Sequence, residues 1–313
     1  MHPHHASPPR HLPTVAPTLP THVDLRDAGE AEFRVLAAKI ARETTFPCES
    51  YKPQVLRRRI AVRMRACDVD SYAAYARILD GDRHEYARLL DVLTVNVTRF
   101  FRDASTYEAL AAHVVPTLWS ERGDDHIAVW SAGMASGEEA YSLAALFHEE
   151  ARRRDELSRL GRVRVVGTDI DRMSLLAAAR AEYPPSAFRE TPVDVLERLF
   201  PRTDDPHVGE MRGVVPQVRA LVNVQRRDLL RDAPPPGQFD LVTCRNVIIY
   251  LDRAAQEQLV STLHAVLRPG GYLVLGRAEM LLGPSRGRFV PVVGRERIFR
   301  RVDGPLAHGA SRG

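Results

Sequence analysis

Cysteine is scarce in this chain. Cys48, Cys67 and Cys244 are the three present, odd in number and widely spaced. That pattern excludes a disulfide framework and a CxxC metal site, and it fits a reducing cytosol. Lysine is nearly absent as well: of 44 basic residues only Lys39 and Lys52 are not arginine. So uniform a bias reflects base composition of the coding sequence, and no arginine cluster is informative by itself. Long apolar runs are missing too. None reaches the roughly 18–20 residues of a membrane span, so the protein is expected not to be membrane-inserted. The opening MHPHHASPPRHLP has no apolar stretch, so a secretory signal is not expected.

What is present is ordinary globular composition, with 27% charged and 44% hydrophobic residues over 313 positions and a net charge of +4. This length holds one large domain or two average ones. So small a positive charge favours acidic partners only weakly.

Residues 1–25 are rich in proline and histidine without periodicity and read as a disordered leader. Its histidines (His2, His4, His5, His11 and His22) lack the fixed geometry of a metal site, and no metal is expected. Residues 26–92 read as an all-helical subdomain. Apolar residues recur by threes and fours at Phe33, Leu36, Ala37 and Ile40, then at Val55, Leu56, Ile60 and Met64. Tyr72, Tyr75 and Ile78 mark a third helix, and Tyr86, Leu89, Leu90 and Leu93 a fourth. Residues 93–124 form a linker and helix.

From residue 125 to 303 the texture is α/β. Strands are expected at His126–Ser131, Val163–Thr168, Val222–Gln225, Phe239–Cys244 and Tyr272–Gly276, separated by helices near Gly137–Arg154, from Arg172, and at Arg253–Leu267. That alternation predicts a parallel sheet with right-handed crossovers. Pro269-Gly270-Gly271 reads as a turn. Arg288–Val292 and Arg297–Val302 would close the sheet as an antiparallel pair. Residues 184–221 are too long for a crossover loop and read as an inserted subdomain with a small antiparallel ribbon. Residues 304–313 form a tail.

In an open parallel sheet, ligands bind beyond the carboxyl ends of the strands at the switch point. The first strand ends in the small-residue run Gly133-Met134-Ala135-Ser136-Gly137, followed by Glu138-Glu139. The next three lead to Asp169-Ile170-Asp171, to Asp228-Leu229 and to Arg245-Asn246. Carboxylates at successive strand ends repel phosphate. They suit a cationic, hydroxyl-rich ligand such as S-adenosylmethionine, with its amino group, sulfonium and ribose diol. Each acid has a plainer account as well. Asp171 reads equally as a helix cap, and Glu138 or Glu139 as a partner of the helix dipole.

Four segments carry a resemblance: LTVNVTRFFRD (Leu93–Asp103), WSAGMASGEEAYSLA (Trp130–Ala144), GTDID (Gly167–Asp171) and FDLVTCRNVIIYLD (Phe239–Asp252). From about Tyr51 to Val302 the chain resembles the CheR-type chemotaxis receptor glutamate O-methyltransferases. The resemblance implies a Rossmann-like class I S-adenosylmethionine-dependent methyltransferase domain, with S-adenosylhomocysteine as product. It implies that Asn96, Thr98 and Arg102 close over the cofactor. Glu139, with Glu138 as its alternative, would take the methionyl amino group, and Asp169 the ribose. Asp228, Leu229, Arg245 and Asn246 would line the adenine and methionine ends, and Arg102 and Tyr250 would flank the transferred methyl as catalytic residues. The plainer alternatives are a salt bridge from Arg102 that closes the linker onto the sheet, and a core aromatic for Tyr250.

The implied partners are the cytoplasmic helices of methyl-accepting chemoreceptors, met by a cytoplasmic monomer. Arg58, Arg59 and Arg63 on the second helix would contact them, unless that helix face is merely solvated. Two departures from the family pattern stand out: Gly276-Arg277-Ala278-Glu279 replaces Gly-His-Ser-Glu, and Asp228 replaces Asn. A fused tetratricopeptide or response-regulator domain is not expected. The competing readings are a cofactor-binding scaffold without turnover and a methyltransferase of nucleic acids or small molecules. Retention of both Arg102 and Tyr250 argues against the first. The low aromatic content and the lack of a base-pocket motif argue against nucleic acid as a partner.

Overall fold

The computed structural model describes residues 25–44, 46–94, 97–205 and 209–302. The leader up to residue 24, with its histidines, and the 304–313 tail lie outside the described residues.

The chain begins with α1 (Leu25–Thr44), α2 (Pro53–Ala66), α3 (Tyr72–Gly81) and α4 (Arg83–Leu93). Their starts are written locally. Pro53 occupies the first turn of α2, where its missing N–H costs nothing. Ser71 and Asp82 cap α3 and α4 by accepting from the backbone N–H groups of Ala74 and His84. Phe33, Leu36 and Ile40 of α1, Leu56, Ile60 and Met64 of α2, Tyr75 and Leu79 of α3, and Leu89 of α4 make one closed core. In α3 the inward residue is Leu79, one position past the expected Ile78, which stays partly exposed.

The second body follows with α5 (Ala104–Ala109), a π-helical turn at Leu110–Val114, α6 (Val115–Glu121), β1 (Ile127–Ala132), α7 (Glu138–Arg153), β2 (Val163–Asp169), α8 (Arg172–Arg180), β3 (Glu182–Tyr183), α9 (Val193–Leu199), β4 (Arg202–Asp205), β5 (Gly209–Gly213), α10 (Pro216–Arg219), β6 (Val222–Arg226), β7 (Phe239–Cys244), α11 (Arg253–Val266), β8 (Leu267–Leu275), β9 (Phe289–Val293) and β10 (Ile298–Arg301).

The large sheet has the order β6-β2-β1-β7-β8-β10-β9. The first five are parallel, and β10 pairs antiparallel with β8 and β9. From β1 the chain steps outward through β2 to β6, then returns to β7 on the other side of β1. The switch point therefore lies between β1 and β7, where a crevice must open.

One strand departs from expectation. β8 starts at Leu267 and runs through Pro269-Gly270-Gly271 instead of beginning after it. The register against β7 shifts between Phe239 and Leu241. Gly270 takes φ +76°, so the apparent turn is a bulge within a continuous strand.

The insertion is a three-stranded antiparallel sheet, β3-β5-β4, that starts slightly earlier than expected, at Glu182. Phe100 anchors it. Its ring stacks on Phe188 at 4.4 Å between centroids and meets Tyr183 and Phe200 edge-on. No helix among the described residues is long and apolar enough to cross a membrane. Cys48, Cys67 and Cys244 are free thiols.

Candidate active site

A cavity of about 320 Å³ opens at the carboxyl ends of β1, β2, β6 and β7. Four walls come from strand-end loops, a fifth from the linker after α4, and a sixth from the segment before α2.

The β1 wall is Gly133-Met134-Ala135. Gly133 has φ +78°, and a Cβ there would lie 2.7 Å from Cγ2 of Val247 across the crevice. Only glycine permits both the backbone and the close approach. Ala135 is also left-handed, at φ +53°. Its N–H donates to Oδ2 of Asp169 at 2.9 Å, which ties the β1 and β2 loops together. The other Asp169 oxygen accepts from the N–H of Asp171 at 2.9 Å. Burial pushes the Asp169 carboxyl above its ordinary value. Asp171 turns away and caps α8, accepting from Met173 and Ser174.

Of the adjacent glutamates, Glu139 faces the cavity. Its Oε1 accepts from Ser131 Oγ at 2.8 Å and Thr243 Oγ1 at 2.6 Å, one from each central strand. Arg245 Nη1 lies 3.3 Å from its Oε2. Glu138 is buried elsewhere, accepts from Ser136 Oγ at 2.7 Å, and is raised in pKa by desolvation. One residue of helix rotation separates the two roles.

Asp228 and Leu229 line the cavity after β6. Asp228 Oδ1 accepts from the Leu230 N–H at 2.9 Å. After β7 come Arg245 and Asn246, also on the cavity wall, with Asn246 left-handed at φ +60°. Arg245 is buried and braced: Nη2 donates to Asp103 Oδ2 at 2.8 Å and to the Arg102 carbonyl at 2.7 Å. The ion pair that closes the linker onto the sheet is therefore made by Arg245, not by Arg102.

Thr98, Arg102 and Tyr250 line the same cavity. Arg102 makes no ion pair with the described residues. One of its N–H groups, on Nη1, donates to the Val97 carbonyl at 2.6 Å, and the rest of the guanidinium has no protein acceptor among them. Tyr250 is half-exposed, so it is not a core aromatic. In its neighbourhood Ile248 is buried, while Val247 and Ile249 are only partly so. Asn96 lies outside the described residues.

Two residues in left-handed conformations without being glycine, Phe101 at φ +51° and Asp103 at φ +63°, flank Arg102. Such strain persists where surroundings impose it. Here Phe101 N–H donates to Ser142 Oγ at 3.0 Å and Asp103 N–H to Glu190 Oε2 at 2.7 Å.

One of the arginines expected to meet a partner is engaged within the protein. Arg63 points into the helical subdomain, where Nε and Nη2 grip both oxygens of Glu85 at 2.8 and 2.7 Å. Glu85 is buried, and a buried carboxylate must be paired, so Arg63 is committed internally. Arg58 is exposed. Arg59 donates to the Val92 carbonyl at 2.6 Å, and its guanidinium sits 5.4 Å from the centroid of the Tyr250 ring.

Sequence reasoning missed two residues. Glu279, almost fully buried, accepts from the N–H groups of Gly276, Asn246 and Ile249 at 2.6, 3.0 and 3.3 Å. It holds the loop that carries Asn246 and Tyr250. Tyr51, just before α2, lines the cavity from the helical subdomain. Glu279 was visible as the last residue of the Gly-Arg-Ala-Glu run. Tyr51 had no local signal.

The acceptor set fits S-adenosylmethionine. Asp169 and Asp228 retain acceptor capacity toward the cavity, Glu139 adds a third carboxylate, and small residues let the backbone approach.

Comparison with known proteins agrees. Residues 96–296 match the family described as CheR methyltransferase, SAM binding domain, and residues 31–94 match CheR methyltransferase, all-alpha domain. The chemotaxis protein methyltransferase of Klebsiella aerogenes is 31% identical over 262 residues, covering 82% of this chain and 86% of that one. Chemotaxis protein methyltransferase 2 of Pseudomonas aeruginosa is 31% identical over 255 residues, 81% of this chain and 88% of that one. A 104.1 kDa protein of Rhodobacter capsulatus is 36% identical over 256 residues, 80% of this chain but 26% of that longer protein. With both of its bodies matched, the chain belongs to the CheR family of S-adenosylmethionine-binding methyltransferases.

Proposed function

We propose that this protein methylates specific glutamate side chains on the cytoplasmic helices of methyl-accepting chemoreceptors, working in the cytoplasm and yielding glutamyl methyl esters and S-adenosylhomocysteine. The observation that carries this reading is Arg102, a cavity-lining guanidinium with no carboxylate partner among the described residues. Its planar fork is suited to an incoming carboxylate.

S-adenosylmethionine, when bound, supplies a methyl group activated by a sulfonium. Glu139 would hold its amino group, Asp169 its ribose, and Asp228 with Leu229 its adenine. Thr98 and Asn246 would complete the pocket. A glutamate with a pKa of about 4.3 is already ionised at neutral pH, so no residue need act as general base. Arg102 holds the carboxylate and Tyr250 orients it, so the work of the two is alignment. Arg59, against the Tyr250 ring, and exposed Arg58 would meet an acidic receptor helix and steer its approach.

The test is incubation of the purified protein with methyl-labelled S-adenosylmethionine and a receptor cytoplasmic fragment. Base-labile label that disappears when the receptor glutamates are changed to alanine supports the proposal. Base-stable label, or none with a cofactor that binds, refutes it. The second of those results is what a scaffold without turnover would give.

A further inference from the structure

The segment from Phe46 to Lys52 belongs to the helical subdomain but is fastened to the other body. Tyr51 pairs with Leu251 as an antiparallel bridge. Lys52 N–H donates to the Tyr250 carbonyl at 3.0 Å, and Asp252 N–H donates to the Ser50 carbonyl at 2.9 Å. Lys52 Nζ donates to the Ile249 carbonyl at 2.8 Å, and Glu49 pairs with Arg231 at 2.8 Å. The strap places Pro47 and Tyr51 on the cavity wall.

The Tyr51 ring packs against Phe46 with centroids 4.7 Å apart. Its hydroxyl has no hydrogen-bond partner among the described residues. The residue is half-buried on the cavity wall, so that hydroxyl is left to meet water or a ligand. Burial suppresses its ionisation, and the charges of Asp228 and Asp169 suppress it further, so the ring stands within the field of both carboxylates. Those carboxylates can only accept hydrogen bonds. A nucleoside lying between them also carries acceptors, on its base nitrogens and ribose oxygens, and these need a donor.

We propose that the Tyr51 hydroxyl donates a hydrogen bond to the nucleoside portion of the bound cofactor, making the helical subdomain part of the cofactor site. This rests on the cofactor reading above. Tyr51 acts in binding and is remote in role from the Arg102–Tyr250 pair.

The test is Tyr51→Phe, which keeps the packing on Phe46 and the backbone bridge to Leu251. Titration calorimetry is run with S-adenosylhomocysteine and with 5′-deoxy-5′-methylthioadenosine, which has the nucleoside but no amino-acid arm. The expected result is a loss of about three- to tenfold in affinity, equal for the two ligands, at an unchanged melting temperature. The KM for S-adenosylmethionine rises by the same factor, with kcat at saturation unchanged. Affinity equal to the wild type for both ligands overturns the proposal while leaving the cofactor reading intact. So does a fall in kcat at constant KM. Wild-type protein that binds neither ligand removes the cofactor reading and this proposal with it.

Discussion

Arg245 holds the backbone of Arg102. Its Nη2 donates to the Arg102 carbonyl at 2.7 Å while Nη1 points to Glu139 and the same Nη2 also bonds Asp103. One side chain at the end of β7 thereby sets the position of the linker arginine and the charge environment of the glutamate facing the cavity. Replacing it by lysine keeps the charge but leaves a single nitrogen for four acceptors, Tyr107, Glu139, Arg102 and Asp103. Arg245→Lys is expected to lower kcat about tenfold or more, because the Arg102 backbone loses its anchor. Arg245→Ala should in addition destabilise the fold by about 3–5 kcal/mol, the usual cost of stripping one partner from a buried ion pair. Urea denaturation beside methyl-transfer kinetics checks both. Full activity in the lysine variant would show that the brace is dispensable.

Glu279 does comparable work on the opposite side of the crevice. Its two oxygens accept three backbone N–H groups, from Gly276, Asn246 and Ile249. Burial raises its pKa, and those donors hold it down in part. Glu279→Gln puts an amide N–H₂ where only acceptors are wanted, so at least one buried donor loses its partner. The expected cost is about 1–3 kcal/mol of stability. A drop in kcat larger than any rise in cofactor KM should accompany it, because the loop ending in Tyr250 loosens. Melting curves together with a separate KM and kcat measurement would reveal an unchanged Tyr250 loop if this is wrong.

The strand-end acids were legible in the sequence because short β-prone runs fix where each strand stops, and the residue after a strand end falls at the crevice by topology alone. The assignment between Glu138 and Glu139 was harder. Both sit in the first turn of α7, and only contact with Ser131 and Thr243 on the central strands separates them. Arg63 shows a different limit. Spacing puts it on one face with Arg59, but nothing local tells that Glu85, in another helix, will neutralise it. Tyr51 was illegible for a related reason, since its place in the cavity depends on a bridge to Leu251, which lies 200 positions away in the chain. Helix and strand periods report burial along one element and are silent on which elements meet.

The Arg63–Glu85 pair gives the helical subdomain an acid-sensitive point. Burial alone would raise the Glu85 pKa, but the hydrogen bonds from Arg63 and Tyr75 and the Arg63 charge outweigh it, taking the carboxyl from 4.5 to about 2. A carboxyl whose folded pKa is depressed contributes stability that is complete above its unfolded value. That contribution fades as pH falls through the folded one. The window is therefore from about pH 4.5 down to about 2. The shift corresponds to about 3 kcal/mol. Stability of the wild type should drop across that window more steeply than that of Glu85→Gln, which has no proton to take up there. Urea midpoints at closely spaced pH values test it, and parallel slopes for the two proteins would rule it out.

Arg102 is where the proposed chemistry is most exposed to disproof. Its guanidinium lines the cavity with one N–H spent on the Val97 carbonyl and no carboxylate partner among the described residues. If its work is to align the receptor carboxylate, Arg102→Ala removes the alignment and leaves the three acidic cofactor contacts in place. Methyl transfer should fall by about a thousandfold or more, while S-adenosylhomocysteine affinity falls by less than about tenfold. Arg102→Lys separates charge from geometry: it restores a cation without the planar fork, so turnover should recover only in part. Single-turnover transfer to a receptor fragment, with calorimetry on the same preparations, reads both quantities. Wild-type rates in the alanine variant would move the carboxylate-holding role elsewhere. An equal collapse of affinity and rate would make Arg102 a cofactor ligand only, since a residue that aligns the acceptor must matter more to the transfer step than to the donor's binding.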